Sequence, residues 1–313
     1  MPDHDLRMRL LLLVFAGILG GIAGSFLNAF IHRWPLRISM WKKARSFCPR
    51  CKHSLAWYDN VPVISYVLLL GRCRYCSGRI HPRYLVVEML TVALFLAVFY
   101  QEAVLNRSAV TGWGAPYFPW PKIAVHLVLV AALVGVSFID CLVTRIPDEV
   151  TLPGIAAAPV LSALVPALQA GMRFGDGVFS VTGVLRLDAF LACIAGIFIC
   201  GGALWALGVV GEAIMKKPAM GFGDVKLMAM VGGLLGAPTA LLGIAFAAFI
   251  GSLVGGINLA LTGRHRIPFG PFLAIGTFIA MMWGAEIVYL YLRFAAGDAA
   301  PPAIQALFFP PPY

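Results

Sequence analysis

Asp140, Asp224 and two cysteine pairs are the residues whose types and settings could do chemistry. Asp140 closes a long apolar run in FIDCLVTRIPDEVTLP, residues 138–153. Asp224 stands in GFGDVKLMAM, residues 221–230, behind Gly221 and Gly223 and two positions before Lys226. A charged side chain costs roughly 2.5 kcal/mol or more at the centre of a membrane helix, and less near the interface. Both aspartates should therefore face protein or water. Gly221 and Gly223 permit unusual backbone geometry and close approach by another segment. If the two carboxylates meet, their like charges cannot easily coexist, and the pair can share one proton. The ionised member can then take a proton from water as that water attacks a peptide carbonyl. The protonated member donates to the developing oxyanion, and a proton later reaches the leaving amine. This is aspartic proteolysis, which needs neither a metal nor a covalent intermediate.

Each acid also has a plainer reading. Asp140 could be a helix-end carboxylate. Asp224 could cap a helix beginning at Val225 or pair with Lys226. Asp148 and Glu149, after Pro147, read as the cap and first-turn charge of the next helix. Glu88 lies early in one apolar stretch and Glu212 late in another, where both suit a membrane interface. Glu88 could instead help bind substrate or cofactor.

The cysteine pairs are CPRC (48–51) and CRYC (73–76). Cys48, Cys51, Cys73 and Cys76 can present four thiolates in a tetrahedron around zinc, each pair from a tight turn. Disulfides and redox chemistry are the alternatives, and a reducing compartment disfavours disulfides. The segment is too short and polar to build a core, so a metal would supply its folding energy. Four thiolates leave no open position, which makes the zinc structural. Cys141, Cys193 and Cys200 sit in apolar sequence and read as small buried hydrophobes.

The elements that must position these groups are membrane helices. The chain of 313 residues is 60% hydrophobic and 12% charged, with a mean hydropathy of +0.87. A spanning helix needs about 20 mostly apolar residues. Qualifying segments are Leu10–Ile31, Tyr84–Val104, Ile123–Val143, Thr151–Ala170, Leu187–Ile214 and Phe272–Leu292. The run Val225–Leu261 is too long for one ordinary span and slightly short for two, and Gly236 and Pro238 can divide it. The expectation is an all-α polytopic membrane protein with 7–8 transmembrane helices, eight preferred, and a cytoplasmic zinc-binding loop. The first apolar stretch runs straight into a basic loop without a small-residue cleavage pattern, so it reads as an uncleaved span.

The net charge of +10 is unevenly distributed. Eleven Lys or Arg and one acid, Asp59, fall between Arg33 and Arg83. Basic loops mark the cytoplasmic side. With that loop inside, the loops holding Arg145, then Lys216, Lys217 and Lys226, then Arg264 and Arg266, also fall inside. The opposite loops carry only Arg107 and Lys122, then Arg173 and Arg186. This arrangement explains the charge through topology and attraction to anionic membrane lipid. No nucleic-acid motif accompanies it, so no nucleic acid is expected as a partner. The organisation read from the chain is a first span (1–31), a basic four-cysteine loop (32–83), a membrane core (84–293) and a proline-rich tail (294–313).

Taken in order, these motifs resemble the type IV prepilin peptidases. The likeness covers about Gly20 to Gly276. It runs through GSFLNAFIHRWP (24–35), the cysteine pairs, WYDNVPVISY (57–66) and RYLVVE (83–88). It continues through IDCLVTRIPDEVTLP, GFGDVKL and RIPFGPFLAIG (266–276). The resemblance implies a GxGD-type aspartic endopeptidase of the bacterial inner membrane, with the GxGD motif at Gly221, Phe222, Gly223 and Asp224. It implies Asp140 as the second catalytic acid, the first of a D-x6-P-D pattern, with Asp148 in support. The implied substrates are type IV prepilins and pseudopilins of type II secretion, cut after a glycine on the cytoplasmic side. The new N-terminal residue, usually phenylalanine, is then methylated from S-adenosylmethionine. No Rossmann-type glycine fingerprint is present for that donor. GSFLN, WYDN and GRCRYC could form its site or fold the loop, and Asn28 could equally pack a helix interface. The connection QAGMRFGDGVFSVTGVLRLD (169–188) is longer than the family pattern leads one to expect. Two other classes fit parts of the sequence. A proton-coupled transporter would want its acids near the bilayer midplane, and a membrane scaffold would not need paired aspartates.

Overall fold

The computed structural model describes residues 2–40, 46–104, 120–170, 182, 184–216, 220–262 and 267–296. Arg107, Arg173, Lys217, Arg264 and Arg266, most of the 169–188 connection and the tail from 297 lie outside the described residues. Among the described residues there is no strand. Two isolated bridges, Phe47 with Ser54 and Arg72 with Arg79, stand outside the helices.

The chain divides into two compact units. The first comprises Met1–Leu105 and Ile123–Phe138, the second Asn106–Lys122 and Ile139–Tyr313. In the first, α1 (Pro2–Arg33) packs along α3 (Arg83–Phe99), which a π-helical turn extends over Tyr100–Val104. The sequence GGIAG explains their closeness. A methyl group on Gly20 would sit 2.8 Å from Val92 Cα, and one on Gly24 would sit 2.8 Å from Glu88 Cα. Small residues four apart let helix backbones meet in a bilayer. Between these helices lie the cysteine segment, a 3-10 turn at Trp57–Asn60 and α2 (Ile64–Leu68). Helix α4 (Trp120–Val143) contributes Ile123–Phe138 to this unit, where buried His126 lies 3.2 Å from Glu102.

The second unit takes the end of α4 and then α5 (Asp148–Leu164), α6 (Leu185–Met215), α7 (Phe222–Leu235), α8 (Ala237–Thr262) and α9 (Gly270–Ala296). Helix α7 is its centre and touches α5, α6, α8 and α9. Every residue of α7 from Leu227 to Leu235 is buried. A helix that is apolar all round belongs inside a protein. Gly196 of α6 and Gly232 of α7 face one another across backbone contact, and a methyl group on Gly232 would meet Cys200 Cβ at 2.8 Å. Gln169 donates to the Gly233 carbonyl at 2.7 Å and ties the 3-10 turn Pro166–Ala170 to α7.

The Val225–Leu261 run divides where its glycine and proline predict. Gly236, with φ +81°, separates α7 from α8, and Pro238 sits in the first turn of α8. All eight apolar stretches of the sequence form helices, but they are unequal. Among the described residues, six helices are long and apolar enough to cross a membrane: Leu10–Arg33, Arg83–Glu102, Trp120–Val143, Leu185–Ile214, Ala237–Leu261 and Gly270–Ala295. The other two, α5 with 17 residues and α7 with 14, are shorter. For α7 the reason is its protein-lined setting, which does not require bilayer length.

Candidate active site

Four chain segments in the second unit converge on a pair of buried acids. Asp140 lies in the last turn of α4 and is 6% exposed. Helix α4 ends at Val143, and Thr144, at φ +51°, turns the chain toward Pro147. Asp224 lies in the first turn of α7 and is 8% exposed. The two carboxylates are near enough for their charges to interact. The backbone N–H of Gly270, at the start of α9, donates to Asp140 Oδ2 at 2.9 Å. Pro271 in the first turn of α9 leaves no further intrahelical donor missing there, as suits a helix start.

Each glycine has a distinct place. Gly221 is the N-cap residue of α7, with extended backbone. Gly223 lies against Ile146, whose Cβ would be 2.9 Å from any added methyl group. The connection from α4 to α5 therefore presses onto the start of α7 where only glycine fits. Lys226 reaches Asp148 Oδ1 at 2.6 Å and lies 5.4 Å from the Phe222 ring centroid. That ion pair fastens the start of α5 to the start of α7.

These placements revise several simple readings. Lys226 pairs with Asp148, not with Asp224. Helix α7 begins at Phe222, one turn earlier than Val225, so Asp224 is a first-turn residue and Gly221 the cap. Asp148 is likewise the first helical residue of α5, with Pro147 in the cap position and no side-chain cap bond. Cys193 and Cys200 are buried as expected, whereas Cys141 is exposed. Glu88 belongs to the first unit. Gly270 and Ile146 were visible in quoted motifs but had no assigned role. A glycine–proline step before an apolar run signals a helix start, but not which carboxylate its amide meets.

In the first unit the four thiols of Cys48, Cys51, Cys73 and Cys76 lie within 4.8 Å of one another, and they could hold a metal ion. Each pair occupies the same backbone device. The N–H of Lys52 donates to the Cys48 carbonyl at 2.9 Å, and that of Ser77 to the Cys73 carbonyl at 2.8 Å. The N–H of Cys48 returns to His53 and that of Cys73 to Gly78, both at 2.9 Å. Lys52 and Ser77 both take left-handed backbone, at φ +59° and +51°. The thiols share protons unequally. Burial raises Cys48, but the N–H groups of Cys51 and Arg50 and the neighbouring thiols of Cys51 and Cys73 outweigh it and bring it to about 7. The Gly78 N–H lowers Cys76, yet burial and its three thiol neighbours push it up to about 11. Beside them, Asp59 accepts from Arg74 Nε at 2.7 Å and Tyr75 Oη at 3.1 Å.

Glu88 of α3 accepts from the Val63 N–H at 2.7 Å and lies 3.5 Å from Asn28 Nδ2 of α1. Val63 is at φ +61°, ψ −52°, and the Ile64 N–H closes on the Pro62 carbonyl at 2.6 Å. This is a γ-turn of the rare, strained hand, and a β-branched residue there is a conformational outlier.

Two family descriptions match the chain. Bacterial Peptidase A24 N-terminal domain matches residues 18–102, and Type IV leader peptidase family matches residues 127–256. Curated relatives share the printed name "Prepilin leader peptidase/N-methyltransferase". That of Aeromonas salmonicida is 31% identical over 299 residues, covering 86% of this chain and 90% of the relative. That of Pseudomonas aeruginosa is 31% identical over 303 residues, covering 89% and 92%. That of Myxococcus xanthus is 38% identical over 252 residues, covering 80% and 64%. No solved structure matches.

Proposed function

This chain belongs to the type IV leader peptidase family, and from that premise we propose that it is a multi-pass membrane enzyme with two activities. It cleaves the leader from prepilins or pseudopilins and N-methylates the residue so exposed. Cleavage follows a glycine at the cytoplasmic face of the bacterial inner membrane. The basic loop with its excess of Lys and Arg supports that orientation.

The observation that carries the peptidase half is the pair of buried, mutually interacting carboxylates, Asp140 and Asp224. Both are catalytic in this reading. The pair holds one proton and one water. The ionised carboxylate takes a proton from the water as its oxygen bonds to the scissile carbonyl carbon. The protonated carboxylate gives its proton to the carbonyl oxygen. Collapse of the tetrahedral adduct returns that oxygen to a carbonyl, breaks the C–N bond and delivers a proton to the leaving amine. The Gly270 amide fixes one carboxylate, and Gly223 lets the α4–α5 connection close over the other's helix. Asp148 and Lys226 brace the helix starts without touching the reacting atoms. A substrate glycine suits such a crowded place, having no side chain to exclude.

The first unit carries the loop whose four cysteines would bind structural zinc. A tetrahedron with Zn–S bonds near 2.3 Å sets its sulfurs about 3.8 Å apart, and Cys48 and Cys76 Sγ are 3.9 Å apart. Zinc there would order residues 46–78 without joining the chemistry. Bound S-adenosylmethionine would supply the methyl group that the new amine accepts as it gives up a proton. Partners are then the prepilin helix and membrane lipid, not nucleic acid.

The test is processing of a prepilin in membranes by Asp140→Asn and Asp224→Asn. Each variant should lose cleavage by at least about 10³-fold, the scale on which removal of one member of a reacting pair acts. Wild-type processing by either variant overturns that residue's role.

A further inference from the structure

The segment VPVISYVLLL, residues 61–70, lies between the charged Asp59 and Arg72 and carries no charge of its own. It is too short to cross a bilayer, and apolar runs of about 10–14 residues belong instead to buried core helices or to re-entrant and interfacial segments. Its position within the first unit is fixed by α1 and α3. A methyl group on Gly21 would sit 3.2 Å from Pro62 Cβ and 3.8 Å from Val92 Cγ2. Pro62 therefore packs at the height where Gly21 of α1 meets Val92 of α3. Those two residues stand near the middle of the apolar helices Leu10–Arg33 and Arg83–Glu102. At the α-helical rise they are roughly 14–18 Å from either end. A bilayer core is about 30 Å thick. If Pro62 lay at the membrane surface, only half of each helix would be left to cross it.

The segment is built for such a depth. Its chain reverses at Pro62, Val63 and Ile64. Pro62 has no N–H to satisfy. Val63 gives its N–H to Glu88 Oε2 at 2.7 Å, and Ile64 gives its own to the Pro62 carbonyl. Beyond the reversal, the N–H groups of Ser65, Val67, Leu69 and Leu70 return to the carbonyls of Val61, Val63, Ser65 and Val67 at 3.0–3.1 Å. Lipid offers no hydrogen bonds, so backbone at membrane depth must be satisfied by protein. The polar side chains turn the same way. Ser65 Oγ donates to the Tyr58 carbonyl at 2.8 Å, and Tyr66 Oη to that of Ile80 at 3.3 Å. The apolar side chains do the opposite. Ile64, Val67, Leu68 and Leu70 are each more than half exposed, and monomeric proteins rarely turn such a patch to water. Trp57 and Tyr58, exposed just before the descent, are the residue types of a membrane interface. The geometry points to a re-entrant hairpin. Residues 61–70 dip from the cytoplasmic side along α1 and α3 into the inner leaflet, and α2 lays Ile64, Val67 and Leu68 against lipid acyl chains. Glu88 is the acid within the span that pins the tip. The loop read from sequence as cytoplasmic thus has an embedded part, whichever chemistry the enzyme performs.

The test uses the full-length, metal-loaded protein in lipid nanodiscs. A nitroxide-bearing amino acid replaces Leu68 in one sample. It replaces Ile22 of α1 in a second, as the lipid-facing reference, and exposed Ser54 in a third, as the aqueous one. Electron paramagnetic resonance reads collisions with oxygen, which concentrates among acyl chains, and with a water-soluble nickel complex. The oxygen-to-nickel ratio at Leu68 should approach that at Ile22 and stand several-fold above that at Ser54. A ratio equal to that at Ser54 overturns the proposal by placing the segment in water. Low rates with both collision partners also overturn it, because a protein surface such as a second copy then covers the face. Unfolding temperature in the same nanodiscs gives a second reading. Ile64→Ala removes an exposed side chain and should change it little. Ile64→Asp should lower it well below Ile64→Ala, with loss of folded protein as the extreme of that fall. A charge among acyl chains is costly, whereas a change on a wet surface is nearly neutral. Equal unfolding temperatures for the two variants overturn the proposal.

Discussion

At the scale of single residues, the peptidase proposal turns on how little space surrounds the acids. Asp140 is positioned by one backbone amide, and the donor of that amide is a residue with no side chain. A methyl group at Gly270 would stand 2.7 Å from Asp140 Oδ2, closer than side-chain carbons come to a carboxylate oxygen. Gly270→Ala should therefore swing the carboxylate away and lower leader cleavage by about 10²-fold, the cost of a misplacement on the ångström scale. Methyl transfer to a peptide already cut should stay at its wild-type rate. Cleavage within twofold of wild type would show that the amide does not set Asp140. Lys226→Met makes a contrasting case. Its partner Asp148 is half exposed, and such pairs contribute about 1 kcal/mol or less. Thermal stability should hardly change, so a large loss of folded protein would contradict a merely bracing role. The sequence made both acids legible, because carboxylates bordering apolar runs need a reason. It left the Gly270 amide hidden, because which donor meets which acceptor is decided by packing between remote helices.

At the scale of elements, the cysteine turns were legible from spacing alone, while the first residues of α5 and α7 were not. Two Cys-x-x-Cys pairs dictate their own local turns, and both adopt the same hydrogen bonds and the same left-handed residue. Helix starts depend on caps, and Gly221 and Pro147 cap without side chains, so the first residue cannot be read from side-chain signals. If the thiols hold zinc, a strong chelator should strip about one ion per chain. It should also leave residues 46–82 open to protease while helical content persists, since metal binding and loop folding are one event. Cys48→Ser should do the same. Stoichiometric metal after replacement of all four cysteines would refute the assignment. The glycine contact between α6 and α7 gives a second element-level test. Gly232→Ala must push α6 and α7 apart, and overpacking of this kind costs about 1–3 kcal/mol. A lowered unfolding temperature is the expected reading, and an unchanged one would mean that the two helices yield freely there.

At the scale of the whole molecule, both proposed peptidase acids lie in the second compact unit, and cleavage should be separable by mutation from a methyl transfer that does not use them. Mass analysis of a prepilin before and after exposure to the enzyme should show loss of the leader and gain of one methyl group. With Asp224→Asn, a synthetic cleaved pilin should still gain the methyl group while the intact prepilin keeps its leader. Failure of both reactions in that variant, with the protein folded, would mean that methyl transfer also depends on this acid. The burial of α7 has a further consequence for the membrane itself. A helix in lipid must tilt, stretch its surroundings or thin them when hydrophobic lengths disagree. One of its two acids rides on a helix sheathed by neighbouring helices from Leu227 onward, and so it has no acyl chains of its own to match. Its depth is set by protein, as a bearing is set by its housing, and bilayers of short and long acyl chains should leave it at the same height relative to α5 and α9.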